Sequence, residues 1–553
     1  MELTRSAHRD TFARDQLPPP EQWPALEFAL PELQYPERLN AAHELLDGTI
    51  ARLGSDRVAM RAVDGEAEDS HEAPEIWTYG RLRDRVNQLA RLLTEDHGLV
   101  PGNRVLLRIP NSPWAVICWL AAVKAGAIAV TTMVAWQAGE LTKIAARTRP
   151  DLVIVDHRYA EALDGAVDAH VRVLTLAGPD DEVIAASAAK PADFEAVATA
   201  ADDVVLLGPT SGTTGEPKIT VHFHRDVLAI ADTFARHTLR MRPDDVVVGS
   251  PPLAFTFGLG GLMVFPLRFG ASSLLLERPS PRALADAIET HGATIAVTAP
   301  TGYRTMLKEG RADALRRLRL GVSAGEHLPK ETFEAVEAAS GLRLVNGIGS
   351  TEMLHVFISA AGEDVVPGAT GRAVPGYRAA VLDDDGRELP PGRLGRLAVI
   401  GPTGCRYLDD ARQTVYVQNG WNVTGDTYLR DERGYFYYQA RSDDMIVAAG
   451  YNIGAPEVEA AIDAHPSVLE SVVVARPDPE KGAIVNAFVV LVPGVPADDA
   501  ARESIKRAVA ERLARYKVPR RIDFVDSLPR NASGKLLRFP LRRRAAEEAG
   551  GAA

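Results

Sequence analysis

The stretch GPTSGTTGEPK, residues 208–218, combines glycines and hydroxyl side chains with a terminal lysine. The apolar run Val204 to Leu207 precedes it, and ITVHFHRDVLAIADTFARH, which is first β-branched and then helical in pattern, follows it. Backbone amides and hydroxyls at the end of a buried strand suit phosphate oxygens. The common ATPase loop has lysine directly after its last glycine, whereas Glu216 and Pro217 intervene here. On these residues alone, a phosphate-binding loop and a structural turn both remain open.

Four later segments also carry side chains that could do chemistry. They are NGIGSTEMLH (346–355), WNVTGDTY (421–428), ARSDDMIVAAGYN (440–452) and LPRNASGKLLR (528–538). Taken one at a time, each has a structural explanation as a turn, a solvated charge run or an ordinary loop. These segments indicate a function only if their order and spacing along the chain match those of one kind of site.

The overall charge and the cysteines exclude several classes of protein. The chain has 553 residues and a formal net charge of −12, which argues against a nucleic-acid-binding protein. The one basic run lies in LLRFPLRRRAAEEAGGAA, where two glutamates follow the arginines, and we interpret this segment as a solvated tail. Cys118 and Cys405 lack metal-ligand spacing, so neither a disulfide framework nor a zinc site is expected.

Two segments bear on localisation. The first twenty residues contain no apolar core and do not resemble a signal peptide. Residues 113–136 form a long apolar stretch, but Lys124 and Gly126 lie at its middle, which favours a buried helix, a turn and a strand over a membrane span. We therefore expect a cytoplasmic protein without a membrane segment.

The elements that must position these segments fall into two groups. Between about residues 75 and 440, helical patterns alternate with β-branched runs, as in RALADAIETHG followed by ATIAVTAP and KETFEAVEAASG followed by LRLVNGIG. After about residue 442 the pattern becomes helix, two strands, helix and strand. We predict an α/β fold with a large N-terminal domain (1–442) of parallel β-sheets covered by helices and a small C-terminal α+β domain (443–553).

Taken together, the glycine-rich stretch and the four later segments resemble, in order and spacing, the ATP-dependent adenylate-forming ligases, which include acyl- and aryl-CoA synthetases. The resemblance covers roughly residues 60 to 540. It implies that a carboxylate attacks the α-phosphorus of ATP, expels pyrophosphate and forms a mixed anhydride with AMP, which then reacts with a thiol. ATP, Mg²⁺ and coenzyme A are the implied cofactors, and the 208–218 loop would embrace the β- and γ-phosphates.

The resemblance also assigns roles to individual residues. Lys535 would bridge the α-phosphate and the substrate carboxylate, Thr351 would contact phosphate and Glu352 would bind the metal. Asp426 would accept hydrogen bonds from the ribose with Arg441 nearby. The full implied ATP/AMP-binding set is Thr210, Ser211, Gly212, Thr213, Thr214, Gly215, Lys218, Ala324, Gly325, Glu326, Gly347, Ile348, Gly349, Ser350, Thr351, Asp426 and Arg441. Many relatives have tyrosine where this chain has Ile348, so an aliphatic side chain would cover the adenine here.

The small domain of the family is mobile and adopts two orientations, one for each half-reaction. By resemblance, Asp443 is the hinge, with a solvated loop acid as the alternative reading. Gly450 and Tyr451 would face the pantetheine arm of coenzyme A.

The acyl pocket of the family lies between PPLAFTFGLGGL (251–262) and GIGSTEMLH (347–355), and both segments look most like those of benzoate- and 2-aminobenzoate-CoA ligases. The predicted lining is Phe255, Thr256, Phe257, Gly258, Gly325, Ile348, Gly349 and His355. Phe257 could pack on a flat ring and His355 could bond a ring substituent, or both could be ordinary core residues.

These residues lead to one hypothesis and several alternatives. We predict an aryl-CoA ligase for an ortho-substituted benzoate, with 2-aminobenzoate favoured, acting as a monomer or homodimer. Coenzyme A is expected as acceptor because no carrier domain follows residue 553. The alternatives are an aryl-adenylating enzyme that loads a separate carrier protein with salicylate or 3-hydroxyanthranilate, a ligase for long-chain acids, and a non-catalytic nucleotide-binding relative.

Overall fold

The fold is taken from a computed structural model, which describes residues 3–63, 74–179, 181–210, 216–441, 445–448, 451–478, 482–530 and 536–550. The chain forms two compact units: Met1–Ala379 with Ala398–Val423, and Ala380–Leu397 with Thr424–Ala553. The second unit is therefore larger than the predicted segment 443–553. The reason is that residues 380–397 and 424–441 contribute neighbouring strands to one sheet.

The strands numbered β1 to β15 build two large sheets. In chain order they are β1 (Val58–Val63), β2 (Glu75–Thr78), β3 (Arg104–Arg108), β4 (Ile128–Thr131), β5 (Leu152–Asp156), β6 (Arg172–Leu176), β7 (Val204–Thr210), β8 (Lys218–Phe223), β9 (Val246–Gly249), β10 (Ser272–Leu276), β11 (Ile295–Thr298), β12 (Leu320–Ser323), β13 (Val345–Gly349), β14 (Val356–Ala360) and β15 (Arg372–Ala373).

The centre of each sheet is parallel, which confirms the predicted α/β class. One sheet has the order β15-β14-β13-β12-β11-β9-β10-β1-β2 and the other β6-β5-β3-β4-β7-β8. The pairs β13–β14, β14–β15, β1–β2 and β7–β8 are antiparallel. Two of these, β7–β8 and β13–β14, are hairpins whose connections carry predicted site residues.

Fifteen helices accompany these strands among the described residues. They are α1 (Phe12–Asp15), α2 (Ala41–Leu45), α3 (Asp47–Leu53), α4 (Tyr79–Arg91), α5 (Pro113–Lys124), α6 (Ala138–Thr148), α7 (Ile184–Ala188), α8 (His224–Ile230), α9 (Thr256–Leu259), α10 (Phe265–Phe269), α11 (Pro281–His291), α12 (Pro300–Lys308), α13 (Ala312–Arg316), α14 (Lys330–Ser340) and α15 (Gln413–Tyr416). Helix α11 shows how local sequence sets such bounds, because the Ser280 side chain caps its first turn and Gly292 ends it in a left-handed conformation. Short 3₁₀ turns lie at Pro20–Gln22, Pro31–Leu33, His157–Tyr159, Glu161–Leu163 and Gly362–Asp364, and π-helical turns lie at Leu92–Asp96, Ala231–Leu239 and Gly260–Val264.

The apolar stretch 113–136 forms a buried helix, a turn and a strand, as predicted. Helix α5 is buried on nearly every side and β4 follows it. The Lys124 ammonium, 1% exposed, lies 2.7 Å from an Asp47 carboxylate oxygen and 2.7 Å from the Asn87 side-chain oxygen. Its charge is thus compensated inside the protein. Searching the described residues for helices that could cross a bilayer identifies none of sufficient length and apolarity.

Both cysteines are deeply buried. Cys118 lies on α5 and Cys405 lies between β17 (Leu394–Ile400) and α15, and neither thiol is exposed to solvent. Burial raises the pKa of both thiols well above the ordinary range.

A five-stranded sheet and the C-terminal elements complete the chain. The remaining strands are β16 (Arg378–Leu382), β17 as given above, β18 (Val417–Gln418), β19 (Trp421–Arg430), β20 (Phe436–Arg441), β21 (Met445–Ala448), β22 (Tyr451–Gly454), β23 (Val468–Asp478), β24 (Gly482–Leu491) and β25 (Arg521–Phe524). The helices are α16 (Ala455–Asp463), α17 (Asp499–Arg512) and α18 (Arg538–Gly550), with a 3₁₀ turn at Arg515–Lys517. The five-stranded sheet has the order β16-β17-β19-β18, and β20 pairs with β19. Strands β23, β24 and β25 form a separate sheet, and β21 pairs with β22.

The elements from α16 to β25 follow the predicted order, but the β21–β22 pair precedes them and helix α18 follows them, and neither was predicted. The basic run at the C-terminus is not a solvated tail but helix α18, which packs on β23. Leu541 and Ala545 lie one helical turn apart and are 6% and 0% exposed. Apolar residues at this spacing share one face of a helix, and the charged residues occupy the rest.

Candidate active site

The glycine-rich stretch connects two paired strands. Thr210 at the end of β7 lies opposite Lys218 at the start of β8 in an antiparallel register. Residues 204–207 of β7 are buried, so the predicted strand that leads into the loop is present. A Cβ atom on Gly208 would lie 2.7 Å from Thr220 Oγ1 and 3.3 Å from Thr351 Cγ2. The hairpin therefore stands directly against Thr351.

The connection between β13 and β14 presents Thr351 and Glu352. The backbone N–H of Met353 donates to Ser350 Oγ at 3.2 Å, and the Ser350 and Tyr416 hydroxyls lie 3.2 Å apart. The chain turns back on itself here, and a Cβ atom on Gly349 would lie only 2.6 Å from the His355 carbonyl oxygen. A residue larger than glycine would therefore clash at this position. Thr351 is buried and Glu352 is half-buried.

Tyr407 links the two elements. Its hydroxyl donates to Glu352 Oε1 at 2.5 Å and accepts a hydrogen bond from Lys218 Nζ at 3.2 Å. The Lys218 ammonium also lies 5.1 Å from the centre of the Tyr407 ring. Burial and the Glu352 carboxylate raise the pKa of this tyrosine far above its usual range, so the hydroxyl remains a donor.

A buried polar cluster lies next to Thr351. His222 contacts the Thr220 hydroxyl at 3.1 Å and the backbone of Thr351. Asp226 and Arg406 form an ion pair in which neither side chain is exposed to solvent. Burial, with the nearby Arg406 charge, lowers the pKa of His222 to about 3, so this imidazole is neutral at physiological pH.

Residues 324–326 follow the carboxyl end of β12. Ser323 of β12 pairs in parallel with Asn346 of β13, so the segments that continue these two strands lie side by side. Gly325 has φ +87°, no heavy atom lies within 4 Å of the position of its absent Cβ, and its residue surface is exposed. Glu326 accepts a hydrogen bond of 2.6 Å from the Thr301 hydroxyl. An open, flat glycine beside Ala324 and Ile348 is compatible with a stacked base.

His355 lies within a group of aromatic rings. Its ring centre is 5.7 Å from that of Phe257, 5.5 Å from that of Phe234 and 4.6 Å from that of Phe265, which it meets edge-on. Neither ring nitrogen makes a hydrogen bond that meets ordinary distance and angle limits, although the Phe257 backbone lies close to the ring. Burial lowers the pKa of His355 to about 3, so the ring is neutral.

The segment 255–265 that carries Phe257 is helical throughout, as α9, a π-helical turn and α10. A small apolar cavity is bordered by Phe257, Gly261, Phe265 and His355, with room for about one water molecule. It is a gap in the packing and is too small for an aromatic ring. Thr256 is buried, whereas Phe255 is 37% exposed and does not line this cavity.

The structure brings together most of the predicted residues of the first unit. Asp426 and Arg441 belong to the second unit, where they lie opposite each other on β19 and β20 with 3.1 Å between their charged atoms. The predicted residues outside the described part of the chain are Ser211, Gly212, Thr213, Thr214, Gly215, Asp443, Gly450 and Lys535. Tyr451 begins β22, and its side chain is likewise not described.

The sequence interpretation missed Tyr407 and the Asp226–Arg406 pair. Tyr407 is 189 positions from Lys218, so no local spacing connects them. The available signal was the pair Arg406 and Tyr407 within GPTGCRYLDD, but no spacing in the sequence connects these two residues to Asp226, Lys218 or Glu352.

The described residues contain no cluster of three or more His, Cys, Asp or Glu side chains arranged to hold a metal ion. One carboxylate can nevertheless suffice for Mg²⁺, which keeps water ligands and shares substrate phosphates. Glu352 fits this requirement. Its Oε1 accepts the hydrogen bond from Tyr407, which leaves Oε2 for a metal ion, and the residue is only half-buried.

Comparison with known proteins identifies the family. The model of the AMP-binding enzyme family matches residues 49–406, and that of the AMP-binding enzyme C-terminal domain matches residues 457–535. A benzoate–CoA ligase of Thauera aromatica is 37% identical over 527 residues, covering 93% of this chain and 97% of the relative.

Two solved structures are similar over nearly the whole chain. The anthranilate CoA ligase AuaEII in complex with anthranoyl-AMP has a TM-score of 0.85 and 30% identity, covering 95% of this chain and all of that one. A benzoate CoA ligase from Burkholderia xenovorans LB400 has a TM-score of 0.80 and 30% identity, covering 91% of this chain and all of that one. The chain therefore belongs to the AMP-binding enzyme family, as an acid–thiol ligase.

Proposed function

We propose that this protein activates a small aromatic acid with ATP and transfers the aryl group to coenzyme A. The carboxylate attacks the α-phosphorus, pyrophosphate leaves, and the aryl-adenylate then reacts with the thiol while AMP leaves. The observation that carries the proposal is the chain of hydrogen bonds that joins Lys218, Tyr407 and Glu352, in the same strand connection that leads to His355 and its aromatic neighbours. Relatives that act on benzoate and anthranilate support it.

Each residue has a task in the first half-reaction. Lys218 and the loop that precedes it bind phosphate oxygens, and the Thr351 hydroxyl orients them. Glu352 would hold Mg²⁺, which would neutralise charge on the phosphate oxygens. Lys535, at the C-terminal position that the resemblance assigns, would stabilise the charge that develops between the carboxylate and the α-phosphate.

We propose an ortho-substituted benzoate as the acid, with 2-aminobenzoate favoured. His355 supports this choice because its neutral ring can donate or accept a hydrogen bond and makes none of good geometry. A buried group that hydrogen-bonds a ring substituent is left unpaired when an acid without that substituent binds, so the site discriminates strongly between the two acids. An apolar wall distinguishes acids that differ by one methyl group by only about 1–3 kcal/mol. Phe257 supplies the apolar wall.

The substrate is tested by acid-dependent exchange between pyrophosphate and ATP and by thioester formation with coenzyme A. Anthranilate, salicylate, benzoate, 4-coumarate and octanoate form the panel, and a purified carrier protein replaces coenzyme A in parallel. We expect the highest kcat/KM for the ortho-substituted benzoates with coenzyme A. A clear preference for coumarate or octanoate would remove the aryl assignment, and no exchange with any acid would favour a non-catalytic relative.

His355→Phe tests how the ring substituent is read. The substitution keeps an aromatic ring in the group and removes both nitrogens. We expect the ratio of kcat/KM for anthranilate to that for benzoate to fall about tenfold or more. An unchanged ratio would show that His355 is only a packing residue.

Two further variants test the separate half-reactions. Lys535→Ala should lower adenylation by on the order of a hundredfold or more while a supplied aryl-adenylate is still converted to thioester. Asp443→Pro should spare adenylation and slow thioester formation, because proline restricts the proposed hinge. Single-turnover measurements of both steps decide, and equal losses in both steps would refute these assignments.

A further inference from the structure

Tyr407 contacts Lys218 and Glu352, the two groups proposed above to bind the nucleotide and its metal, and four features of its surroundings hold it there. The backbone of residues 406–408 runs antiparallel to β8, with Val221 N–H donating to the Arg406 carbonyl at 2.7 Å and Leu408 N–H to the Ile219 carbonyl at 2.9 Å. The Tyr407 N–H donates to Gln413 Oε1 at 2.9 Å. These bonds hold the backbone of Tyr407 opposite Thr220, two residues along β8 from Lys218.

The residue that precedes Tyr407 anchors the same segment in the interior. The Arg406 guanidinium pairs with Asp226 and lies 4.1 Å from the centre of the Phe223 ring. Both charged side chains are fully buried, so separating the pair would leave each charge inside the protein without its partner. The tyrosine ring is itself fully buried, and it meets the Tyr416 ring edge-on at 6.0 Å between centres.

The single hydroxyl of Tyr407 lies between a cation and an anion. It donates a hydrogen bond to Glu352 and accepts one from Lys218. The three groups therefore form a chain of hydrogen bonds that polarise one another. Lys218 and Glu352 make no direct ion pair with each other in the described part of the chain. The ammonium keeps donors for phosphate, and the carboxylate keeps an oxygen for a metal ion.

We propose that Tyr407 is a positioning residue that keeps the Lys218 ammonium and the Glu352 carboxylate apart and correctly placed for Mg²⁺–ATP. Without the hydroxyl, the two opposite charges can collapse into a direct ion pair that competes with the nucleotide and its metal. This inference rests on the nucleotide-binding roles proposed above for Lys218 and Glu352.

Tyr407→Phe tests the proposal, because it keeps the ring and its packing and removes the hydroxyl. Binding of ATP is measured by calorimetry, with Mg²⁺ and with excess EDTA, and so needs no acid substrate. We expect the affinity for Mg²⁺–ATP to fall on the order of tenfold, since a hydrogen bond to a charged group is lost, and the affinity for metal-free ATP to fall less. Tyr79→Phe is the matched control, because the Tyr79 hydroxyl is equally buried and bonds two backbone carbonyls, those of Pro266 and Ala271.

A double variant separates positioning from a general loss of structure. If Tyr407 acts through Glu352, Tyr407→Phe should have little further effect on Mg²⁺–ATP binding once Glu352→Gln is present. If the tyrosine only stabilises the fold, its effect should be equal in both backgrounds and accompany the loss of thermal stability. Full Mg²⁺–ATP affinity in Tyr407→Phe, or full additivity in the double variant, would overturn the proposal.

The same variants distinguish this inference from the proposed function. In an acid-dependent exchange assay, Tyr407→Phe should raise the KM for Mg²⁺–ATP and leave the KM for the aromatic acid within about twofold, because the hydroxyl contacts neither Phe257 nor His355. A wild-type protein that binds Mg²⁺–ATP but shows no exchange would refute the function and leave the binding comparison intact.

Discussion

Gly260 offers a direct test of whether the position of His355 matters for the aromatic acid. A Cβ atom at this position would lie 2.3 Å from His355 Cδ2, 2.7 Å from Nε2 and 3.2 Å from Phe265 Cζ. Ordinary contacts of a Cβ atom begin at 3.4 Å, so Gly260→Ala must displace the imidazole by roughly 1 Å. The Phe234 and Phe257 rings lie 5.5 and 5.7 Å from the imidazole, centre to centre, and restrict where it can go.

The expected cost follows from this overpacking. Forcing a methyl group into a well-packed core costs about 1–3 kcal/mol. If the displaced ring belongs to the acid pocket, a change of this size corresponds to a loss of about 5- to 150-fold in kcat/KM for the aromatic acid. The KM for ATP should stay within about twofold, because Lys218 and Glu352 do not contact Gly260.

Gly261→Ala is the matched control. It lies in the same π-helical turn, and the nearest atom to its added Cβ is Val297 Cγ1 at 3.3 Å, which needs a shift of only a few tenths of an ångström. The gain in helix propensity from glycine to alanine is common to both variants, so their difference isolates the contact with His355.

The assay is acid-dependent exchange with anthranilate and benzoate, together with thermal denaturation of each variant. His355→Ala should suppress the effect of Gly260→Ala, because the clash is then removed. Equal kcat/KM values for Gly260→Ala and Gly261→Ala would refute the reasoning, as would an effect of Gly260→Ala that persists in the His355→Ala background.

Three further predictions concern other described residues. Gly325→Ala should weaken ATP binding, measured by calorimetry, and destabilise the protein by about 1–2 kcal/mol, measured by denaturation, because φ is +87°. Gly292→Ala is the control, because it also has positive φ and no close neighbour. It should destabilise the protein similarly and leave ATP binding unchanged. The pKa of His355 falls from 6.5 to about 3 on folding, so between these pH values only the unfolded chain binds this proton, and the free energy of unfolding should decrease as the pH falls. His355→Phe should lower the slope of the free energy of unfolding against pH in this window by about 1.4 kcal/mol per pH unit, measured by denaturant titration. An unchanged slope would contradict the buried neutral ring. Asp226→Asn should destabilise the protein by about 3–5 kcal/mol because it leaves the Arg406 charge buried without its partner, and Asp226→Leu combined with Arg406→Met should recover most of that loss in the same denaturation experiment.

The sequence was most informative where a pattern is local. Helices α11 and α14 and strands β11 and β13 lie where the alternation of helical and β-branched residues predicts them, since each of these helices ends at a glycine. The strand that leads into the glycine-rich loop was predicted for the same reason. The order of the elements from α16 to β25 was also predicted, because each is a short run with its own apolar spacing.

The sequence was least informative where partners are distant or where charge obscures a pattern. The contact between Tyr407 and Lys218 depends on the backbone pairing of residues 406–408 with β8, which no local spacing encodes. At helix α18 the glutamates that accompany the arginines favour a solvated tail, and these charges obscure the few apolar residues that the helix buries. The antiparallel edges of the sheets likewise depend on which strands become neighbours. The assigned roles of Lys535 and Asp443 remain predictions.

The burial of the two cysteines makes the natural chain suitable for fluorescent labelling. Maleimides react with accessible thiolates, and Cys118 and Cys405 offer neither access nor a low pKa. Cysteines introduced at exposed positions, such as Asp313→Cys in the first unit and Glu503→Cys in the second, would therefore be the reactive thiols without removal of the native pair. A donor and an acceptor dye at these two positions would report the separation of the units during turnover, one molecule at a time.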